Sequence, residues 1–272
     1  MNSPVASSAG DPVDSVPSKP PILMVMSVKG GTGKSLSAIQ ISVLLSRIYR
    51  VGLLDADVDS PNLPKMLNLT EPMQLDSRHT FIPATYNGLR VVSTGLFQKG
   101  IFTVCKTGTE NRQIVSDLLK NTLWADTQII VVDQPAGSDE ELRAIIHSGH
   151  PFIGVVLITQ PTTYDDCFRV IEICTRFKIR VLGVIENMVG AVFEDGTPVT
   201  HPTTGRPFLP FGDPQGECDI QTLARNTGIE YIGSVPVVEN VVARMLSGNP
   251  LIPDSVLPPY IKVIDKVKEA MK

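Results

Sequence analysis

From Ile22 onward the chain alternates short, continuous apolar runs with stretches whose apolar residues recur every three or four positions. The apolar runs predict strands over Ile22–Ser27, Val51–Asp55, Leu89–Thr94, Ile129–Asp133, Ile153–Thr159, Val181–Asn187 and Tyr231–Val235. The helical periodicity predicts helices over Gly33–Tyr49, Thr109–Asn121, Asp139–Ser148, Thr163–Phe177, Ile220–Asn226, Glu239–Leu246 and Pro259–Met271. Several strands are apolar throughout, as expected where helices cover both faces of a sheet. Strands alternating with helices imply an α/β fold with a doubly wound, mostly parallel sheet. Residues 22–272 read as one domain. Met1–Pro21, rich in Ser, Pro, Ala and Gly and without periodicity, reads as a disordered tail. Ligands of such sheets bind beyond the carboxyl ends of the strands, so the residues there are the candidates for chemistry.

The first strand runs into V-K-G-G-T-G-K-S, Val28 to Ser35, and a helical pattern follows. Strand, glycine-rich loop and helix are the context that a phosphate-binding loop requires. Gly30, Gly31 and Gly33 let the backbone turn tightly and approach an anion without a Cβ in the way, with Thr32 among them. The loop N–H groups and the helix N-terminus then face the phosphates. Lys34 is placed to reach the β- and γ-phosphates and Ser35 to ligate Mg²⁺. The plain G-x-x-x-x-G-K-[ST] pattern asks for glycine where Val28 stands, and a second lysine, Lys29, lies inside the loop.

Carboxylates crowd two further strand ends. L-L-D-A-D-V-D closes the second strand with Asp55, Asp57 and Asp59, and I-I-V-V-D-Q-P-A-G-S-D closes the fourth with Asp133. An aspartate ending an apolar strand beside a phosphate loop is the Walker B arrangement, in which Asp133 binds Mg²⁺ through water. Gly137 gives the next loop freedom to approach the γ-phosphate, and Asp139 also suits a helix N-cap.

Taken together, K-G-G-x-G-K-[ST], D-A-D-x-x-x-P-x-x-P and V-L-G-V-I-E-N-M resemble the deviant Walker A, SIMIBI-type P-loop NTPases of the MinD/ParA/Mrp class, nearest to the Mrp/Nbp (ApbC-like) iron–sulfur cluster carriers. The resemblance extends over roughly Pro21 to Met271. It implies an ATPase working with ATP and Mg²⁺ as a homodimer that serves a client protein. It also implies roles for single residues. Lys29 would be the signature lysine that contacts the nucleotide of the opposite subunit, Asp57 would position the attacking water, and Asp55 would support the metal. Asn187 would contact the adenine edge, and Pro236 would lie along the base. Ser138 stands where the family's second switch has threonine.

The family's [4Fe–4S] cluster is bridged by a C-x-x-C pair from each subunit a few residues after E-N-M. Here the loop after Met188 has no cysteine up to Cys218, which stands alone. Cluster assembly, a MinD/ParA-like positioning switch and a nucleotide-dependent adaptor for a protein partner therefore all remain open as functions for this nucleotide engine.

Composition narrows the choice. With 24 basic and 28 acidic residues the formal charge is −4, which does not favour a broad nucleic-acid-binding face. No apolar run has the length of a membrane span. The four cysteines, Cys105, Cys167, Cys174 and Cys218, are widely spaced and suggest no disulfide framework, and Cys167 and Cys174 share one helix face as buried thiols. A cytoplasmic location is expected. The last helix carries Ile261, Ile264, Val267 and Met271 on one side and reads as packing on the core rather than on a membrane.

Overall fold

The computed structural model describes residues 19–27, 29–97, 107–137, 139–161, 163–211 and 220–272. Most of the expected tail, Val28, Ser138, Cys105 and Cys218 lie outside them. The described elements are β1 (Ile22–Met26), α1 (Lys34–Ser46), β2 (Val51–Asp55), α2 (Leu63–Met66), β3 (Gln74–Leu75), β4 (Phe81–Ile82), β5 (Ala84–Tyr86), β6 (Leu89–Val92), α3 (Gly108–Lys120), β7 (Ile129–Asp133), α4 (Asp139–Ile146), β8 (Phe152–Thr159), α5 (Tyr164–Arg176), β9 (Val181–Val192), α6 (Ile220–Thr227), β10 (Tyr231–Val238), α7 (Val241–Leu246) and α8 (Pro258–Ala270).

Eight strands form one sheet in the order β10-β9-β8-β1-β7-β2-β6-β5. All neighbours are parallel except β5 and β6. Those two form a hairpin turned by Asn87 and Gly88, both at positive φ, the conformation a two-residue turn between twisted strands needs. Along the inner strands, alternate residues face opposite layers. Leu23, Val25, Leu53, Ile129 and Val131 join the core under α1 and α8, while Ile22, Met24, Leu54, Ile130 and Val132 join the core under α3, α4 and α5. Burial on both faces is why these strands read as unbroken apolar runs.

β1 lies at the centre, with β7 on one side and β8 on the other, where the winding of the chain reverses. Its carboxyl end is the place where such sheets bind ligands. The helix after it, α1, buries Ile39, Ile41 and Leu45, and also Ser37, Gln40 and Ser42. Each of these polar groups has a partner: Ser37 Oγ meets Tyr260 Oη at 3.1 Å, Gln40 Nε2 donates to Pro250 O at 2.7 Å, and Ser42 Oγ donates to Ala38 O at 2.7 Å.

Three sequence expectations change. The β9 strand runs on from Asn187 to Val192, and its continuation forms an arm with bridges Val192–Pro198 and Thr200–Pro207. α8 does pack on the core, but through Tyr260, Val263, Ile264 and Val267, and it leaves Ile261 exposed. Lys19–Pro21 are pinned rather than loose. Lys19 Nζ donates to Ser148 O at 3.0 Å, His150 Nδ1 lies 2.8 Å from Pro20 O, and Ile130 N donates to Pro21 O at 2.9 Å. Among the described residues no helix is long and apolar enough to cross a membrane.

Candidate nucleotide site

The carboxyl ends of β1, β2 and β7, and Asn187 within β9, meet at the loop of residues 29–33. Gly31 and Gly33 take φ of 81° and 82°, left-handed values that an L side chain resists. A Cβ at Gly30 or Gly31 would meet nothing within 4 Å, so this side of the loop is an open concavity. Gly33 is closed in: a Cβ there would lie 2.1 Å from Asn187 Nδ2. Gly33 also begins α1, its carbonyl accepting from Ser37 N and Ser37 Oγ, each at 3.0 Å. Ser35 follows in the first turn of that helix.

Lys34 is buried and its Nζ lies 2.6 Å from Asp133 Oδ1. Asp133 and Asp55 are register partners on β7 and β2, so their carboxylates stand side by side at one height of the sheet. That proximity has a consequence for Asp55. Complete burial first, and the Asp133 charge second, push its pKa up to about 8. Both Asp55 oxygens are engaged: Oδ1 accepts from Asp57 N at 3.2 Å, and Oδ2 accepts from Leu63 N at 3.2 Å and Ser93 Oγ at 3.1 Å. Asp55 therefore holds the loop between β2 and α2.

Asp57 is half-buried on the braced loop, and burial raises its pKa. Its Oδ1 accepts from Ser60 N at 3.0 Å. Farther along, Asp59 Oδ2 accepts from Asn111 Nδ2 at 2.7 Å, and the same amide donates to Glu141 Oε1 at 3.1 Å. One buried amide on α3 thus ties the loop after β2 to the helix after β7. The sequence reading missed this bridge, because neither Asn111 nor Glu141 stands in a recognisable motif.

Lys29 is not idle. Its Nζ lies 2.6 Å from Asp166 Oδ2 on α5 of the same chain. Asn187, buried just past the portion of β9 that pairs with β8, donates from Nδ2 to Thr32 O at 2.7 Å. Val235 is its register partner on β10, and Pro236 follows where the β9–β10 register shifts. A proline is tolerated there because β10 is an edge strand.

Ser35 and Asp133 supply hard oxygen donors beside an open anion cradle, the donor chemistry that suits Mg²⁺ with phosphate. Soft donors are another matter. The thiols of Cys167 and Cys174 are both buried, and burial pushes Cys174 to about 11. The arm after β9 offers no cysteine and instead exposes Phe193, Phe208 and Phe211.

Comparison with known proteins agrees with this fold. Residues 20–272 match the ParA family described as NUBPL iron-transfer P-loop NTPases. A cytosolic Fe–S cluster assembly factor, nubp2 of Xenopus laevis, is 27% identical over 90% of this chain and 91% of its own length. A nucleotide-binding protein of Archaeoglobus fulgidus, solved in complex with ADP, superposes with a TM-score of 0.66 at 23% identity, over 84% of this chain and 86% of that one. The cell division ATPase MinD of Pyrococcus furiosus superposes with a TM-score of 0.61 at 17% identity, over 92% and 98% of the two chains.

Proposed function

The chain belongs to the NUBPL-type iron-transfer P-loop NTPases of the ParA class, and on that premise we propose that it binds and hydrolyses MgATP as a homodimeric switch in iron–sulfur cluster assembly. The observation that carries the reading is the convergence of Lys34, Asp133, Asp55 and Asp57 on the open loop of residues 29–33.

The chain's own residues divide the work. The loop N–H groups and Lys34 hold the phosphate charge, and Lys34 exchanges its Asp133 partner for the incoming anion. Ser35 and Asp133 would hold Mg²⁺, which would supply neutralisation of the charge that develops on the phosphoryl oxygens. Asp57 orients the attacking water, and Asp55 keeps the Asp57 loop in place. Lys29 serves the nucleotide of the second copy once Asp166 releases it. Adenine is taken in preference to guanine, with Asn187 and Pro236 beside the base, and no N-K-x-D guanine motif occurs in the chain. Asn111 carries the change at the Asp57 loop to α4, and so to the surface that a client protein meets.

The cargo step is where the chain departs from the family's pattern, with no C-x-x-C pair after E-N-M. Thiolates hold iron–sulfur clusters, and the arm presents aromatic side chains in their place. This favours a second emphasis within the same class, a nucleotide-dependent adaptor whose partner brings the cluster ligands. A membrane-positioning role is disfavoured, because α8 spends its apolar face on α1 and the core. The site of action is the cytoplasm. The test is phosphate release by the purified protein beside Asp57→Ala. The wild type should turn over slowly with MgATP, whereas Asp57→Ala should bind ATP and release no phosphate. Equal turnover in both would remove Asp57 from the mechanism.

A further inference from the structure

Asn187 and Thr32 are 155 residues apart in sequence and joined by a hydrogen bond of 2.7 Å. A carbonyl oxygen can only accept, so the amide must present its NH₂ side to Thr32. Both Asn187 and Thr32 are buried, and Asn187 Nδ2 lies 2.1 Å from where a Cβ on Gly33 would sit. The next residue reinforces the contact. Met188 takes φ of 65° within β9, a left-handed value that costs a non-glycine residue on the order of 1–2 kcal/mol. In that conformation Met188 Cε comes within 3.7 Å of the same Gly33 position. Two consecutive side chains of β9 thus border the Gly33 position of the phosphate loop, and backbone strain persists only where surrounding contacts hold it.

A trans peptide makes this contact informative about its other end. The described chain has no cis peptides, so the C=O of Thr32 and the N–H of Gly33 point in opposite directions. Fixing the carbonyl toward β9 fixes the N–H away from it. A peptide free to flip would aim a carbonyl dipole where anion binding needs a donor.

We propose that Asn187 is a positioning residue for the phosphate loop: its amide, clamped on the Thr32 carbonyl, locks the Thr32–Gly33 peptide in the orientation that phosphate binding requires. The role concerns the phosphates and is independent of any contact with the base. It rests on the phosphate-loop reading above.

The test uses a ligand without a base. Mg·tripolyphosphate and MgATP are titrated calorimetrically into the wild type, Asn187→Ala and Asn187→Asp, with the melting temperature of each recorded. Removing the clamp should weaken tripolyphosphate roughly fivefold, and ATP, which also meets Asn187 at its base, by at least that factor. Asn187→Asp keeps the shape but turns a carboxylate toward the Thr32 carbonyl, so its loss should exceed that of Asn187→Ala for both ligands. Should Asn187→Ala fail to fold, the isosteric Asn187→Asp decides alone. Weakened ATP with unchanged tripolyphosphate would overturn the proposal and make Asn187 a reader of the base only, and unchanged affinity for both ligands would overturn it too. A wild type that binds neither ligand would instead sink the phosphate-loop reading itself.

Discussion

The Lys34 ammonium lies 2.6 Å from the Asp133 carboxylate, and both groups are buried. The cation meant for phosphate is therefore already neutralised from within, beside a second carboxylate, Asp55, whose pKa is raised by burial and by Asp133. Lys34→Ala would strip Asp133 of its partner. Breaking a buried pair costs about 3–5 kcal/mol, because the remaining charge stays in low dielectric. We expect Lys34→Ala to lose nucleotide binding and also to melt well below the wild type. Adding Asp133→Asn should restore much of the melting temperature and none of the binding. Thermal melts of the two single variants and the double variant check this. A Lys34→Ala variant as stable as the wild type would contradict it.

Lys29 and Asp166 form a different kind of pair, both partly exposed, at 2.6 Å. Such pairs contribute about 0–1 kcal/mol to stability. Asp166→Ala should leave the melting temperature nearly unchanged. If the pair competes with engagement of a second copy by Lys29, the same variant should tighten ATP-dependent self-association, by up to about fivefold for 1 kcal/mol. Sedimentation at several protein concentrations with MgATP measures it. Unchanged or weaker association would show that Lys29 has no second task.

His150 ties the segment before β1 to the sheet, its Nδ1 2.8 Å from Pro20 O. Burial, the largest cause, lowers its pKa below the ordinary 6.5. A base held neutral in the native state binds fewer protons there than in the unfolded chain. Stability then rises with pH through this window and falls as pH drops below about 6.5. His150→Gln should flatten the dependence between pH 7.5 and 5.5 in urea unfolding. An unaltered slope would place the acid sensitivity elsewhere.

The parts legible in the sequence are those whose chemistry is local. Lys34, Ser35 and the loop glycines follow directly on an apolar strand, and Asp133 closes another, so strand ends and turn residues reveal them without knowledge of the sheet order. Asn187 was singled out in the sequence for a base contact, but its contact with Thr32 depends on where β9 and β1 lie in one sheet. The Lys29–Asp166 and Asp59–Asn111–Glu141 contacts likewise join separate elements, and no periodicity encodes them. The two-residue strands β3 and β4 are too short to carry an alternating pattern. The strand over Val181–Asn187 ended early in the sequence reading because Glu186 and Asn187 interrupt the apolar run, which resumes at Met188.

The central claim is that ATP, and not ADP, closes two copies of this chain around the loop of residues 29–33. Light scattering on Asp57→Ala, which should bind ATP without consuming it, measures this most directly. The expected result is the mass of two chains with MgATP and of one chain with MgADP, with Lys29→Ala reducing the MgATP species to one chain. The same mass with either nucleotide would contradict the account.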